Sequence, residues 1–257
     1  MLEHVHATRY VTPLREGGSL PGIVEADDEG TYVLKFRGAG QGLKVLVAEV
    51  IVGELGRAVG LRVPDMRAVT LDAQIARYEA DQEVQCLLTA SVGLNLGVDF
   101  LPGSFGYDGS RPPSAQVAAR VLWLDAFTAN IDRTWSNPNL LVWHGQTWAI
   151  DHGAALYFHH SWPTRRPDPA RFAAQPFDAT KHVLREVAAD YLAPLHDELA
   201  AITRAALCDD VLNQVPDEWL EPTDAMPDPQ SVRAAYRLSL LARLDNPSAW
   251  LPREVVS

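Results

Sequence analysis

Asp132, Asn137 and Asp151 stand close together in NIDRTWSNPNLLVWHGQTWAIDHG, residues 130–153. NLLVW and QTWAI are apolar runs separated by His144-Gly145, a spacing that predicts a β-hairpin. The open ends of a hairpin are neighbours. Asn137, just before the first strand, and Asp151, just after the second, are therefore brought together. Asp132 lies five residues before Asn137, on the loop leaving a helix. Oxygen-bearing side chains of this kind suit Mg²⁺, a hard cation that also binds phosphate oxygens. An Asp beside such a metal, but not holding it, could accept a proton from an attacking hydroxyl. The chemistry indicated is phosphoryl transfer, with Asp132 as base and Asn137 and Asp151 as metal ligands.

That chemistry needs a lysine for the phosphates and an acid to hold the lysine. The first part of the chain is expected to be β-rich. GIVEA and TYVLKF are extended runs with DDEG between them as a turn, and the glycine-rich EGGSLPG, 16–22, precedes them. Lys35 sits on the second run, on the face opposite Tyr32, Leu34 and Phe36. A helix over 44–60 follows, with an apolar stripe through Val45, Ala48, Val52, Leu55 and Val59. At about 100° per residue, Glu49 lies roughly 70° from the centre of that stripe and Glu54 roughly 150°. Glu49 is thus the inward-facing partner expected for Lys35. RAVTL is expected as a strand, DAQIARYEAD as a short helix, and GLNLGVDFLPG as extended chain with glycine. YDGSRPP, 107–113, marks the expected boundary between residues 1–106 and 107–257. Beyond it come a helix over 114–130, the hairpin, the loop WPTRRPDPARF, one or two amphipathic helices over 178–214, and a last helix over 229–244.

The spacing D-x-x-x-x-N followed by D-x-G is a kinase pattern. With the GGS loop at 17–19, VLKF, AEVIVGELGRAVGLRVP, NIDRTWSN and IDHG, the chain resembles the HipA-like kinase family. That family comprises bacterial relatives of the toxin kinase HipA with a protein-kinase-like fold. The resemblance covers about residues 10–220. It implies an α+β, bilobal fold, with a β-rich N-lobe carrying one helix and a mainly helical C-lobe. It implies Asp132 as catalytic base, Asn137 and Asp151 on Mg²⁺, and Lys35 on the phosphates of ATP. Gly17, Gly18 and Ser19 would cover the phosphates, and segment 93–103 would recognise the nucleotide. A protein serine or threonine is the acceptor it implies, leaving any antitoxin-like partner open. The chain departs from relatives at Thr134, where many have His, and at His152, where protein kinases have Phe. Its glycine loop is not G-x-G-x-x-G. It is also expected to lack the toxin's extra N-terminal subdomain.

Other readings compete. Asp and Asn also serve turns with no catalytic purpose. A nucleotide-binding pseudokinase and a small-molecule kinase both fit the same residues. RGAGQG, 37–42, lies where a dinucleotide-binding turn would, but Leu43 breaks the frame. His144, His152, His159 and His160 lack zinc spacing, and adjacent histidines on a strand would face opposite ways. Arg133 either contacts phosphate or fixes the loop by a buried ion pair. The seven tryptophans are expected in the core, as are Cys86 and Cys208, both reduced. The net charge of −11 disfavours a broad nucleic-acid face. No apolar run reaches the roughly 20 residues that cross a membrane, and a cytoplasmic location is expected.

Overall fold

The computed structural model describes residues 1–14, 20–40, 42–77 and 79–252. The chain is mixed α+β. Strands β1 (His4–Pro13), β2 (Gly22–Ala26) and β3 (Thr31–Lys35) lead into helix α1 (Leu43–Ala58). Then come β4 (Met66–Leu71), α2 (Ala73–Ala76), α3 (Gln82–Ala90) and β5 (Gly93–Asp99). The five strands close into a barrel in the order β1-β2-β3-β5-β4. Closure is by a parallel pairing in which Val5 meets Val69, while all other pairs are antiparallel. Period-two alternation explains the inside of the barrel. Val24, Tyr32, Leu34 and Val69 point in and are buried. Helix α3 closes one side with Val84 and Leu88.

The family resemblance implied one helix in residues 1–106 and DAQIARYEAD a second short one; three helical segments occur there among the described residues, α2 falling within DAQIARYEAD. Segment 82–90 escapes a periodicity reading because it buries only Val84 and Leu88. Its start signal is nonetheless present, for the Asp81 side chain accepts from the Glu83 and Val84 amides.

A second core joins α1 to the helical region. Strand β6 (Phe105–Gly106) precedes helix α4 (Ala115–Thr128), which is capped by the Ser114 hydroxyl accepting from the Val117 amide. Strands β7 (Leu140–Trp143) and β8 (Gln146–Ala149) form the expected hairpin, with Leu140 opposite Ala149. Strand β6 adds to its outer side. Helices α5 (Pro169–Ala173), α6 (Arg185–Ala188), α7 (Leu192–Asp209), α8 (Pro229–Leu244) and α9 (Pro247–Trp250) complete the region.

Helix α1 buries ten of its 16 residues, more than one amphipathic face supplies, because it packs against α4, α7 and the turns at 211–214 and 217–219 while Gly53 faces Met66 of β4. Gly56 permits that closeness. A Cβ there would meet Val63 Cγ2 at 3.2 Å and Leu124 Cδ2 at 3.3 Å. Several burial expectations fail. Cys86 and Cys208 are exposed free thiols, because each falls on the outer side of its helix. Trp123, Trp219 and Trp250 are core, but Trp135 is 60% exposed. His159 and His160 lie in a 3-10 turn rather than a strand, and their rings touch. Among the described residues no helix is long and apolar enough to cross a membrane.

Leu34 fills the barrel with no exposed surface. Leu34→Ala is expected to lower stability by about 2–5 kcal/mol, measured as a reduced urea midpoint at unchanged slope.

Candidate functional site

Lys35 ends β3 and reaches toward α1. Its Nζ donates to Glu49 Oε1 and, at 2.7 Å, to Asp151 Oδ1. Glu49 is buried and accepts from three donors on two other parts of the chain. Its Oε2 accepts from the His152 amide at 2.9 Å, and its Oε1 accepts from the Gly153 amide at 2.9 Å as well as from Lys35. One carboxylate therefore joins the barrel strand, α1 and the loop after β8. Asp151 itself is half exposed and has φ 57°, a left-handed conformation in which Asp is enriched.

Charge follows from this geometry. Burial opposes the Lys35 ammonium, but Glu49 and Asp151 outweigh it and raise its pKa. Burial pushes Glu49 up to about 6 against the pull of Lys35. Lys35 holds Asp151 well below the usual carboxylate range. At neutral pH the centre is one cation between two anions, with its free side facing a cleft.

That cleft holds about 250 Å³, slightly under the roughly 300 Å³ at which drug-sized sites begin. Val33, Val63, Met66, Val98, Leu141 and Ile150 form its apolar walls, and Lys35 and Asp151 lie at its polar end. Asp99 and Leu101 also line it, so segment 93–103 does contribute to the wall. Leu14 and Pro21, which are hydrogen-bonded at 2.7 Å, close another edge. Gly17, Gly18 and Ser19, between them, lie outside the described residues.

Asp132 and Asn137 are in contact: the Asn137 amide donates to Asp132 Oδ2 at 2.8 Å. Asn139, which the sequence reading did not single out, donates to the same oxygen at 3.2 Å. The hairpin closes as expected, with the Ile150 amide donating to the Asn139 carbonyl at 3.1 Å. Thr134 and Asn137 exchange backbone hydrogen bonds, making the tight turn that points the Asn137 side chain back to Asp132. Asp132, Asn137 and Asp151 offer carboxylate and amide oxygens, a donor set that fits a hard cation. Among the described residues no group of three or more His, Cys, Asp or Glu side chains is placed to hold a metal ion.

Arg133 makes the buried ion pair, one of its two expected alternatives. Its Nε donates to Asp125 Oδ2 at 2.6 Å, and it also donates to the carbonyls of Asn139 and Ile150. A further contact reaches His152 Nδ1 at 3.3 Å. It therefore ties the Asp132 loop to α4 and to both ends of the hairpin. Asp125 is the hub. It also takes Asn130 at 3.0 Å and His182 at 2.9 Å. Burial works against its charge, yet Arg133 and His182 lower its pKa to about 2. Burial lowers His152 to about 3, so it is neutral and can accept from Arg133. The sequence held one signal for this hub, an acid in the apolar run VLWLDAF.

Residues 8–252 match the family described as HipA-like kinase. The chain belongs to the HipA-like kinase family. Three solved structures resemble it distantly. The proinflammatory kinase CtkA of Helicobacter pylori shares 10% identity over 93% of this chain and 94% of its own, at a TM-score of 0.45. The Golgi casein kinase shares 13% over 99% and 73%, at 0.42. Its form with Mn/ADP bound shares 12% over 96% and 74%, at 0.43. No curated protein matches the chain.

Removing Arg133 leaves Asp125 buried with one partner fewer. Arg133→Met is expected to cost about 3–5 kcal/mol, read by chemical denaturation. The pH dependence has a definite sign. Asp125 is depressed in the fold, so its stabilisation is complete above about pH 4 and is lost as pH falls toward 2. The variant's stability curve should be flatter over that acid range than the parent's. A Cβ on Gly153 would meet Val45 Cγ1 at 2.5 Å and Glu49 Oε1 at 3.0 Å. Gly153→Ala is expected to cost about 1–3 kcal/mol, read by urea denaturation. Gly106→Ala, where a Cβ meets open space, should leave stability unchanged.

Proposed function

We propose that this chain transfers the γ-phosphoryl group of ATP to a hydroxyl group, with a protein serine or threonine as acceptor. Residues 1–106 act as the nucleotide-binding lobe and 107–257 as the catalytic lobe, with the cleft between the barrel and the β7–β8 hairpin taking the nucleotide. The apolar walls suit a purine base, and Lys35 at the polar end is held extended by Glu49 to meet the α- and β-phosphates. Asn137 and Asp151 would hold Mg²⁺, which when bound neutralises phosphate charge. Asp132, oriented by Asn137 and Asn139, takes the proton of the acceptor hydroxyl. The acceptor oxygen forms a bond to the γ-phosphorus, the bond from that phosphorus to the bridging oxygen breaks, and ADP leaves with the electron pair.

The observation that carries this reading is the bridge from Lys35 to both Glu49 and Asp151. It unites residues far apart in sequence at the mouth of an apolar cleft, which turn chemistry alone does not require. Asp132→Ala is expected to reduce transfer from radiolabelled ATP by about 10²–10⁴-fold, while ATP with Mg²⁺ still raises the melting temperature as in the parent. Full transfer by the variant would refute Asp132 as base.

A further inference from the structure

A second cavity, of about 580 Å³, opens beyond the Asp151 loop, in segment 157–175. Its anchoring is shared with the site. The Leu156 amide donates to the Thr128 carbonyl at 2.9 Å, at the end of α4 from which the Asp132 loop departs. The floor is aromatic. Phe158 lies 4.3 Å from Phe172 and 5.5 Å from Trp162, ring centre to ring centre. Tyr157, 42% exposed, stands at the edge.

Arg165, Arg166 and Arg171 surround this floor, and all three are exposed. Among the described residues none of the three guanidinium groups has a hydrogen-bond or ion-pair partner. The one acid lining the cavity, Asp168, accepts from the Arg171 backbone amide at 3.0 Å and makes no ion pair with the three arginines. A fourth guanidinium lies beneath. Arg243 is buried, with its Cζ 4.5 Å from the Phe172 ring centre. Its partners are the carbonyls of Phe172, Gln175 and Ala126, with no carboxylate among them, and its Nε is buried without a partner. Buried cations are ordinarily paired with an acid. Four positive groups against the single carboxylate of Asp168, in a chain of net charge −11, make a local island of positive potential.

We propose that this cavity binds an acidic peptide segment, its carboxylates on the arginines and its apolar side chains on the aromatic floor. Resting on the kinase reading, the segment belongs to the acceptor protein, which the cavity docks beside the transfer site. A peptide fits better than a small metabolite. Small-molecule sites bury their ligand among a few fixed polar groups, whereas these arginines are long, exposed and spread along a loop. Arginine clusters of this form recognise acidic motifs. The net charge of −11 disfavours such a partner over the chain as a whole, so a local cluster of arginines helps fix where it lands.

The test reads binding without turnover, so it stands apart from the kinase reading. A fluorescein-labelled peptide rich in Ser and Glu, and a counterpart with Lys in place of Glu, are titrated by fluorescence anisotropy. The Glu peptide is expected to bind, more weakly as salt rises, and the Lys peptide not to bind. The combined variant Arg165→Ala, Arg166→Ala, Arg171→Ala should weaken the Glu peptide by about tenfold or more. These side chains are exposed and unpartnered, so the fold should persist, checked by an unchanged melting temperature. Equal binding by parent and variant, or no preference for Glu over Lys, overturns the proposal. So does saturable citrate binding in calorimetry with no peptide binding, which would assign the cavity to a small anion. Glu-peptide binding without phosphorylation would support this inference and count against the kinase reading.

Discussion

The site depends on one buried carboxylate. Glu49 accepts from the ammonium of Lys35 and from two successive amides, His152 and Gly153. An ionised acid out of water is costly unless charge and hydrogen bonds replace its hydration. Here the replacements come from three separate pieces of chain. The acid is satisfied only when the barrel, α1 and the loop after β8 are all in position. Folding and assembly of the site are therefore the same event. Burial leaves the carboxyl at about 6 despite the lysine beside it.

The second network works alongside the first. Asp125 and Arg133 hold the Asp132 loop from below, through α4 and the two ends of the hairpin. Contact of Arg133 with His152 links the networks, because His152 also donates its amide to Glu49. Polar side chains at the cleft thus rest on polar side chains that never reach it. This division lets Asp132 and Asp151 remain exposed to a ligand while their backbones are fixed from within.

How much of this could be seen beforehand depended on range. Lys35, Glu49 and the hairpin were legible because strand alternation, helical angle and a two-residue turn are local rules. Once phosphoryl-transfer chemistry called for a lysine and an acid, facing directions picked Glu49 over Glu54 as the partner of Lys35. Asn139 was missed because it resembles any residue entering a strand, and only the left-handed backbone there, φ 48°, turns it toward Asp132. Asp125 was missed because its partners, Arg133 and His182, come from separate loops. The arginine-lined cavity was passed over as a loop, since its floor needs Tyr157 and Phe158 from before that loop and Arg243 of α8 beneath it. Exposure of Cys86 and Cys208 depended on which side of each helix met a neighbour, and composition does not encode that.

Gly56 has an effect on how the site can move. By letting α1 sit tightly against Leu124 and Val63, it fastens the helix bearing Glu49 to the bulk of the helical region. Shifting that acid would mean prising apart a packed interior. Lys35, by contrast, hangs from a strand end on a flexible four-carbon stem. The glutamate is thus the fixed end of the pair, and the lysine reaches it from the strand side.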